Sequence, residues 1–174
     1  MNKKKIFICL FLSLSCFISS LISGDIKTKA GIENEPSVTY KVHCQTLGWQ
    51  NLVEDADSSG TVSRAKRIEA INISLANLGE KYQGSSIQYK AHCQSYGWMS
   101  WVKDGNMAGT TGKSKRMEAI RIKLSGAIAN YYDVEYRVHC QSYGWMSWRK
   151  NGETAGTTGK SKRIEAIQIR LVGK

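Results

Sequence analysis

The sequence predicts an all-β protein in which three copies of one short module share a β-trefoil-like closed barrel with hairpin caps. Three observations predict this fold. One 36-residue pattern occurs three times without a gap, and each copy begins and ends with the two-residue alternation of a half-buried strand. A unit of that size cannot bury enough apolar surface to fold alone. Three repeats of roughly four strands each match a β-trefoil, and closure removes exposed sheet edges.

The repeat sets the domain organisation. We place the copies at residues 40–75, 89–124 and 136–171, within one shared-core domain at 38–174 that follows an N-terminal segment at 25–39. Copies two and three agree at 27 of 36 aligned positions, whereas copies one and two agree at 18. Copy one has therefore drifted or specialised relative to the other two.

Copy three shows the predicted elements most clearly. Residues 136–140 alternate apolar and polar side chains, and so do residues 167–171, so both segments are predicted strands. A helix at the second segment is disfavoured because its apolar residues would spread around the helix instead of forming one stripe. Between the two strands lie a short strand, a hairpin turn and a second turn region, at 145–149, Asn151-Gly152 and 155–160.

Residues 1–24 have the layout of a secretory signal peptide. Three lysines precede an apolar run at 6–22, and cleavage is expected between Ser23 and Ala30. An uncleaved anchor is the alternative, but the run is short and broken by serines for a membrane span. Lipidation at Cys16 is disfavoured because a serine stands where a lipobox needs an aliphatic residue. We therefore predict a secreted or cell-surface protein with no stable membrane insertion after cleavage.

The charge balance indicates an anionic partner. The chain carries 25 Lys and Arg against 14 Asp and Glu, and removal of residues 1–24 leaves a net charge of +8. Outside a cell, this excess favours wall polymers, acidic polysaccharide or lipid head groups. Export argues against nucleic acid as the partner. The alternative is that the positive surface only keeps the protein soluble.

Three segments of the repeat carry a family resemblance: Gly144-Trp145, the Ala-Gly-Thr-Thr-Gly stretch at 155–159, and the Arg-Ile-Glu-Ala-Ile stretch at 163–167. They resemble the clostridial hydrophobic repeat with a characteristic tryptophan, the ChW family. The resemblance implies an extracellular module of Gram-positive bacteria, often in sets of three, that mediates adhesion to substrates or other macromolecules. It brings no catalytic residue and no established ligand. This chain departs from the family at the cysteines Cys44, Cys93 and Cys140, and in copy one at Leu52, Ala56 and Ser63.

Each copy has one cysteine at the same position on the apolar side of its first strand: Cys44, Cys93 and Cys140. An odd number cannot form a complete internal disulfide framework. We interpret them as small apolar core residues, because free cysteine is among the most buried residue types. A three-thiolate metal site is the alternative, but strand alternation points the neighbouring histidines to the opposite side. No metal and no cofactor are therefore predicted.

An arginine and a glutamate recur two residues apart at the start of each last strand: Arg67 with Glu69, Arg116 with Glu118, and Arg163 with Glu165. Two residues apart on a strand share one face, so a structural ion pair is expected. Acid-base hydrolysis of sugars needs two carboxylates in one cleft, and no second acid recurs. We predict that the chain is not an enzyme, with a small secreted glycan hydrolase as the least favoured alternative.

The aromatic residues divide into two classes. Trp49, Trp98 and Trp145 occur in every copy and are assigned a structural role in core or layer packing. The predicted ligand-binding set lies in copies two and three, where Tyr and Trp stand in place of Leu47 and Leu52 of copy one: Tyr96, Trp101, Asp104, Tyr143, Trp148 and Asn151. Flat aromatic faces suit sugar rings. The predicted function is a non-catalytic extracellular module that binds cell-wall or environmental polysaccharide, with a protein-interaction or structural surface protein as the alternative.

Overall fold

The computed structural model describes residues 35–174. The predicted signal peptide at 1–24 and most of the N-terminal segment lie outside the described residues, so both stay predictions. Within the described range the chain is all-β, apart from two single-turn 3-10 helices at Glu80–Tyr82 and Ala127–Asn130. These helices lie between the copies, and the second one buries Ile128.

Each copy contributes two long strands with three two-residue strands between them. Copy one contains β1 Ser37–Cys44, β2 Gly48–Trp49, β3 Val53–Glu54, β4 Ser59–Gly60 and β5 Ile68–Ala76. Copy two contains β6 Ser86–Cys93, β7 Gly97–Trp98, β8 Val102–Lys103, β9 Ala108–Gly109 and β10 Met117–Ser125. Copy three contains β11 Tyr132–Cys140, β12 Gly144–Trp145, β13 Arg149–Lys150, β14 Ala155–Gly156 and β15 Ile164–Gly173. The short strand predicted at 145–149 is present as two strands, one at each end of that segment.

The two long strands of each copy pair with each other in antiparallel orientation, β1 with β5, β6 with β10 and β11 with β15. The first long strand also carries the first two short strands, because the chain turns back onto it twice. Along β1, Val42 and Cys44 are buried and His43 between them is only partly covered. This alternation gives every sheet an inner face toward the core and an outer face toward solvent.

The remaining short strand of each copy pairs with the last long strand of a different copy. Thus β9 of copy two pairs with β5 of copy one, β14 of copy three with β10 of copy two, and β4 of copy one with β15 of copy three. The exchange is cyclic, since every copy donates one strand and receives one. The prediction of an all-β fold with a three-fold repeat is confirmed, and the structure shows three repeated sheets. None of these sheets in residues 35–174 closes on itself, and the trefoil-like barrel stays a prediction.

The cyclic exchange corrects the second turn predicted at 155–160. The first two residues of that segment, Ala155 and Gly156, form β14 and pair with copy two. A two-residue strand shows no alternation, and its partner belongs to another copy, so the local pattern does not reveal it. Glycine is required there because a Cβ on Gly156 would lie 2.4 Å from the carbonyl oxygen of Glu118.

One hydrophobic cluster draws on all three copies and includes three fully buried tyrosines, Tyr40, Tyr89 and Tyr136. Each hydroxyl donates to a backbone carbonyl of its own copy. The Tyr40 hydroxyl also accepts from the backbone N–H of Ile169 at 3.0 Å, and the Tyr89 hydroxyl accepts from that of Ile73 at 3.0 Å. Burial raises the pKa of Tyr89 and Tyr136 to about 12. The tyrosines therefore stay protonated and link neighbouring copies through the core.

Candidate functional site

The tryptophans common to all copies lie on the outer faces of the sheets. Each one stands opposite a histidine in the antiparallel ladder: His43 opposite Trp49, His92 opposite Trp98, and His139 opposite Trp145. Directly opposite residues present their side chains on the same face, and the histidines face outwards. The sequence predicts that these rings pack either in the core or in a layer, and the prediction of core packing is wrong. They form an outer layer, in which Trp49 is 39% exposed.

Beneath each of these rings, a histidine, a glutamate and an arginine form a chain of polar contacts. In copy one, the His43 ring meets Trp49 edge to face, with 5.5 Å between ring centroids. Nδ1 of His43 lies 3.2 Å from Oε2 of Glu69. Arg67 donates from Nε and Nη2 to Oε1 of Glu69 at 2.9 and 2.8 Å. The ion pair expected from the sequence therefore also supports the tryptophan hairpin through the histidine.

The same chain of contacts recurs in copies two and three, with an arginine–glutamate distance of 2.8 Å in each. Nδ1 of His139 lies 3.1 Å from Glu165 in hydrogen-bond geometry. The corresponding Nδ1–Oε2 distances of His43 and His92 are 3.2 Å, without hydrogen-bond geometry. The glutamate side chains are only 7% exposed. A carboxylate buried to this extent depends on its partners, and here both of its oxygens contact them.

Trp101 and Trp148, the rings specific to copies two and three, lie on the same outer faces beside basic side chains. Nζ of Lys90 and of Lys123 lie 5.0 and 4.6 Å from the Trp101 ring centroid. The guanidinium carbons of Arg137 and Arg170 lie 4.8 and 4.2 Å from the centroid of Trp148. Cations within about 6 Å of a ring centroid are attracted to its face. Each ring therefore has two cations beside it.

The other predicted ligand-binding residues fall into two groups. Tyr96 and Tyr143 are 53% and 49% exposed at the tips of the first hairpins, and Lys160 lies 5.6 Å from the Tyr143 ring centroid. Asp104 and Asn151 occupy turn positions with positive φ. Their Oδ1 atoms accept from the backbone N–H groups of the adjoining long strands, at 2.9 and 3.2 Å. The two tyrosines are free to contact a ligand, whereas Asp104 and Asn151 stabilise their own turns.

The three cysteines predicted as core residues lie in the hydrophobic cluster with no exposed surface, as Cys44, Cys93 and Cys140. Burial, together with a nearby glutamate, raises the pKa of Cys44 and Cys93 to about 11 and that of Cys140 to about 12. A metal ligand must be a thiolate, which such sites disfavour. Within residues 35–174, no three His, Cys, Asp or Glu side chains are grouped closely enough to hold a metal ion.

The basic residues beside the tryptophans were missed in the sequence prediction. Lys90 and Arg137 occupy equivalent positions on the first long strands, and Lys123 and Arg170 stand on the second ones. The sequence does contain a signal for them. These basic residues alternate with the apolar residues of each strand, as the outward-facing histidines do, so they are expected on the same outer face. Recognising it also required the hairpin register that places the tryptophans on that face.

A surface cavity of about 310 Å³ adjoins Trp101 of copy two. It is lined by Gln88, Trp101, Val102 and Lys103. This volume lies at the lower end of the range for small-ligand sites. The cavity therefore places a partly exposed indole, an amide and an amine around one space.

Comparisons with known proteins give one match. A family model described as Clostridial hydrophobic W matches residues 43–77, 92–126 and 139–173. No curated protein and no solved structure matches the chain. Residues 35–174 contain no helix with the length and hydrophobicity that a membrane crossing requires. Because the three matches together cover more than half of the residues, the chain belongs to the Clostridial hydrophobic W family.

Proposed function

We propose that this chain is an extracellular, non-catalytic adhesion module that binds cell-wall or environmental polysaccharide. In this proposal Trp101 and Trp148 contact sugar rings, the hairpin-tip tyrosines add contact area, and the basic residues of the outer faces attract the polymer. Secretion belongs to the proposal because residues 1–24 have the layout of a signal peptide, and the Gram-positive exterior belongs to it because the family resemblance implies that location. A trefoil-like arrangement of the three sheets also belongs to it, and the cyclic strand exchange supports that arrangement.

The observation that carries the proposal is a difference between copies of the same fold. At the position of Trp101 and Trp148, copy one has Leu52, which is 63% exposed. Copy one folds into the same five strands with this leucine, so the fold does not require an aromatic ring there. A large apolar ring that is partly exposed and not needed for folding is typical of a binding surface.

The recurring acids support a non-catalytic role. Glu69, Glu118 and Glu165 are each held between an arginine and a histidine, at 2.8 to 3.2 Å. A general acid or base must reach a substrate proton directly or through one water. Each carboxylate is largely buried beneath a tryptophan hairpin, so its established contacts serve the structure of that hairpin.

The test is a double variant, Trp101→Ala with Trp148→Ala, assayed on a glycan array beside a pull-down from culture supernatant. We expect at least a tenfold loss of affinity for the glycans that the parent binds, which corresponds to about 1.4 kcal/mol. The melting temperature should change by no more than a few degrees, because both rings are on the outer face. Loss of glycan binding with a retained fold supports the proposal.

Two matched controls separate binding from folding. Leu52→Ala changes the equivalent position in copy one and should leave both glycan binding and the melting temperature unchanged. Trp98→Ala removes the ring that packs on His92 and should lower the melting temperature. The proposal fails if the double variant unfolds, or if it binds every glycan as well as the parent. If the pull-down captures an extracellular protein and the array shows no bound glycan, the protein-interaction alternative is favoured.

A further inference from the structure

The outer faces of the three copies differ in charge at two cross-strand pairs. These pairs are Thr39–Ser74 and Lys41–Asn72 in copy one, Gln88–Lys123 and Lys90–Arg121 in copy two, and Glu135–Arg170 and Arg137–Gln168 in copy three. The pairs occupy equivalent positions in the repeat, so their side chains can be compared directly. Copies one and three each carry a net charge of +1 at these four positions, whereas copy two carries +3.

Copy three neutralises one of its cations, and copy two does not. Nη2 of Arg170 lies 2.6 Å from Oε2 of Glu135, directly across the ladder. In copy two the position of Glu135 is taken by Gln88, which has no charge. Among the described residues, Lys90, Arg121 and Lys123 make no ion pair with any carboxylate. The copy-two face is therefore a cluster of three uncompensated cations.

This cluster is unfavourable for the fold itself. Lys90 and Arg121 are directly opposite each other, and like charges at that spacing destabilise a sheet. The tryptophans hold the cations in place: the Trp98 ring centroid lies 5.2 Å from Lys90 Nζ and 4.7 Å from the Arg121 guanidinium carbon. Aromatic rings attract cations without removing their net charge. The face is thus ordered and positively charged at some expense of stability.

We propose that the outer face of copy two binds the carboxylate groups of an acidic polysaccharide. Lys90, Arg121 and Lys123 contact the carboxylate, and Trp101 contacts the sugar ring beside the cavity that Gln88 and Lys103 line. A bound carboxylate offsets the repulsion between the opposed cations, and the planar guanidinium of Arg121 suits a carboxylate group. Copy three does not share this specificity for carboxylates, because its Arg170 already forms an ion pair with Glu135. The inference rests on the proposed function and assigns the anionic specificity to one copy.

The test compares polygalacturonate with its methyl ester, which has the same sugar backbone without the charge. The full chain should bind polygalacturonate at least tenfold more tightly than the ester at low salt, and added salt should reduce this preference. Gln88→Glu gives copy two the acid of copy three and should remove most of the preference. Glu135→Gln frees Arg170 in copy three and should increase it. These reciprocal changes keep the shape of each face nearly constant and alter its charge.

Arg121→Gln separates binding from folding, because copy three has Gln168 at this position. Removing the like-charge pair offsets the loss of the bond from Arg121 Nε to Oγ1 of Thr154 at 2.9 Å. The melting temperature should therefore change by no more than a few degrees, while affinity for polygalacturonate falls at least fivefold. Unchanged preference in Gln88→Glu and Arg121→Gln overturns the inference, and so does tighter binding to a DNA duplex than to polygalacturonate. If neither polymer binds and no glycan does, the proposed function itself fails. If both polymers bind equally, only the inference fails.

Discussion

At the scale of single residues, the buried thiols couple stability to alkaline pH. Burial raises the pKa of Cys44 from 9.0 to about 11, and Cys93 and Cys140 behave similarly. Below pH 9 the thiols are protonated in both the folded and the unfolded chain, so their contribution to stability is complete. Between pH 9 and 11 only the unfolded chain ionises readily. The free energy of unfolding must then fall as the pH rises.

Replacement of all three core cysteines by valine tests this coupling. In the chain from Asp25 onward, the triple variant should melt within a few degrees of the parent at pH 7, because valine suits the same apolar sites. Between pH 9 and 11 its melting temperature should fall less steeply than that of the parent. The parent thiols should react slowly with a thiol reagent until denaturant is added. Stoichiometric zinc that is lost in the variant would instead favour the metal alternative.

At the scale of elements, the two-residue strands that cross between copies depend on glycine. Gly109 lies in β9 at φ 99°, and a Cβ there would be 2.3 Å from the carbonyl oxygen of Glu69. This oxygen belongs to the backbone of Glu69, which cannot move aside easily. Gly112 also has a positive φ, of 67°, but a Cβ at that position would have no neighbouring atom within 4 Å. A comparison of substitutions at these two glycines therefore separates the effect of a steric clash from the effect of backbone strain.

Gly109→Ala should be the more damaging of the two substitutions. Strain alone, as in Gly112→Ala, costs about 1–2 kcal/mol, and the clash in Gly109→Ala should bring its loss to about 3 kcal/mol or more. Urea titrations of the parent and both variants measure these free energies of unfolding. Equal losses would show that β9 can shift away from β5 without cost and that the contact between copies is loose.

The long strands could be predicted from the sequence, but the contacts between copies could not. Alternation at 136–140 and 167–171 gives strands because one face of each is buried. A crossing strand such as β14 has two residues and no period, and its partner is set by the fold of another copy. The outward position of Trp145 required the register of a hairpin opposite His139. Differences among the copies identified Trp101 and Trp148, while the cations beside them became evident only with that register.

At the scale of the whole molecule, the three copies form a closed ring of contacts. Copy one donates β4 to β15 of copy three, and its Tyr40 hydroxyl accepts from Ile169 of that copy. In open repeat arrays each repeat contacts only its sequence neighbours, so stability is approximately a sum over the repeats and their interfaces. In a closed ring, loss of any copy leaves one sheet without its fifth strand and another strand without a partner. Stability should therefore be shared by all three copies.

Shortened chains test this closure. The chain 25–174 should unfold in one cooperative transition, whereas a one-copy chain, 25–76, and a two-copy chain, 25–125, should both be unfolded. The two-copy chain is the sharper case, because it keeps the pairing of β9 with β5. It nevertheless leaves β4 without a partner, removes β14 from the edge of β10, deprives the Tyr40 hydroxyl of Ile169, and exposes the inner faces that copy three covers. Circular dichroism during heating measures the transitions, and hydrogen exchange reports which amides are protected. A cooperative transition in the two-copy chain would show that adjacent copies fold as an open array, and the ring would then not be needed for stability.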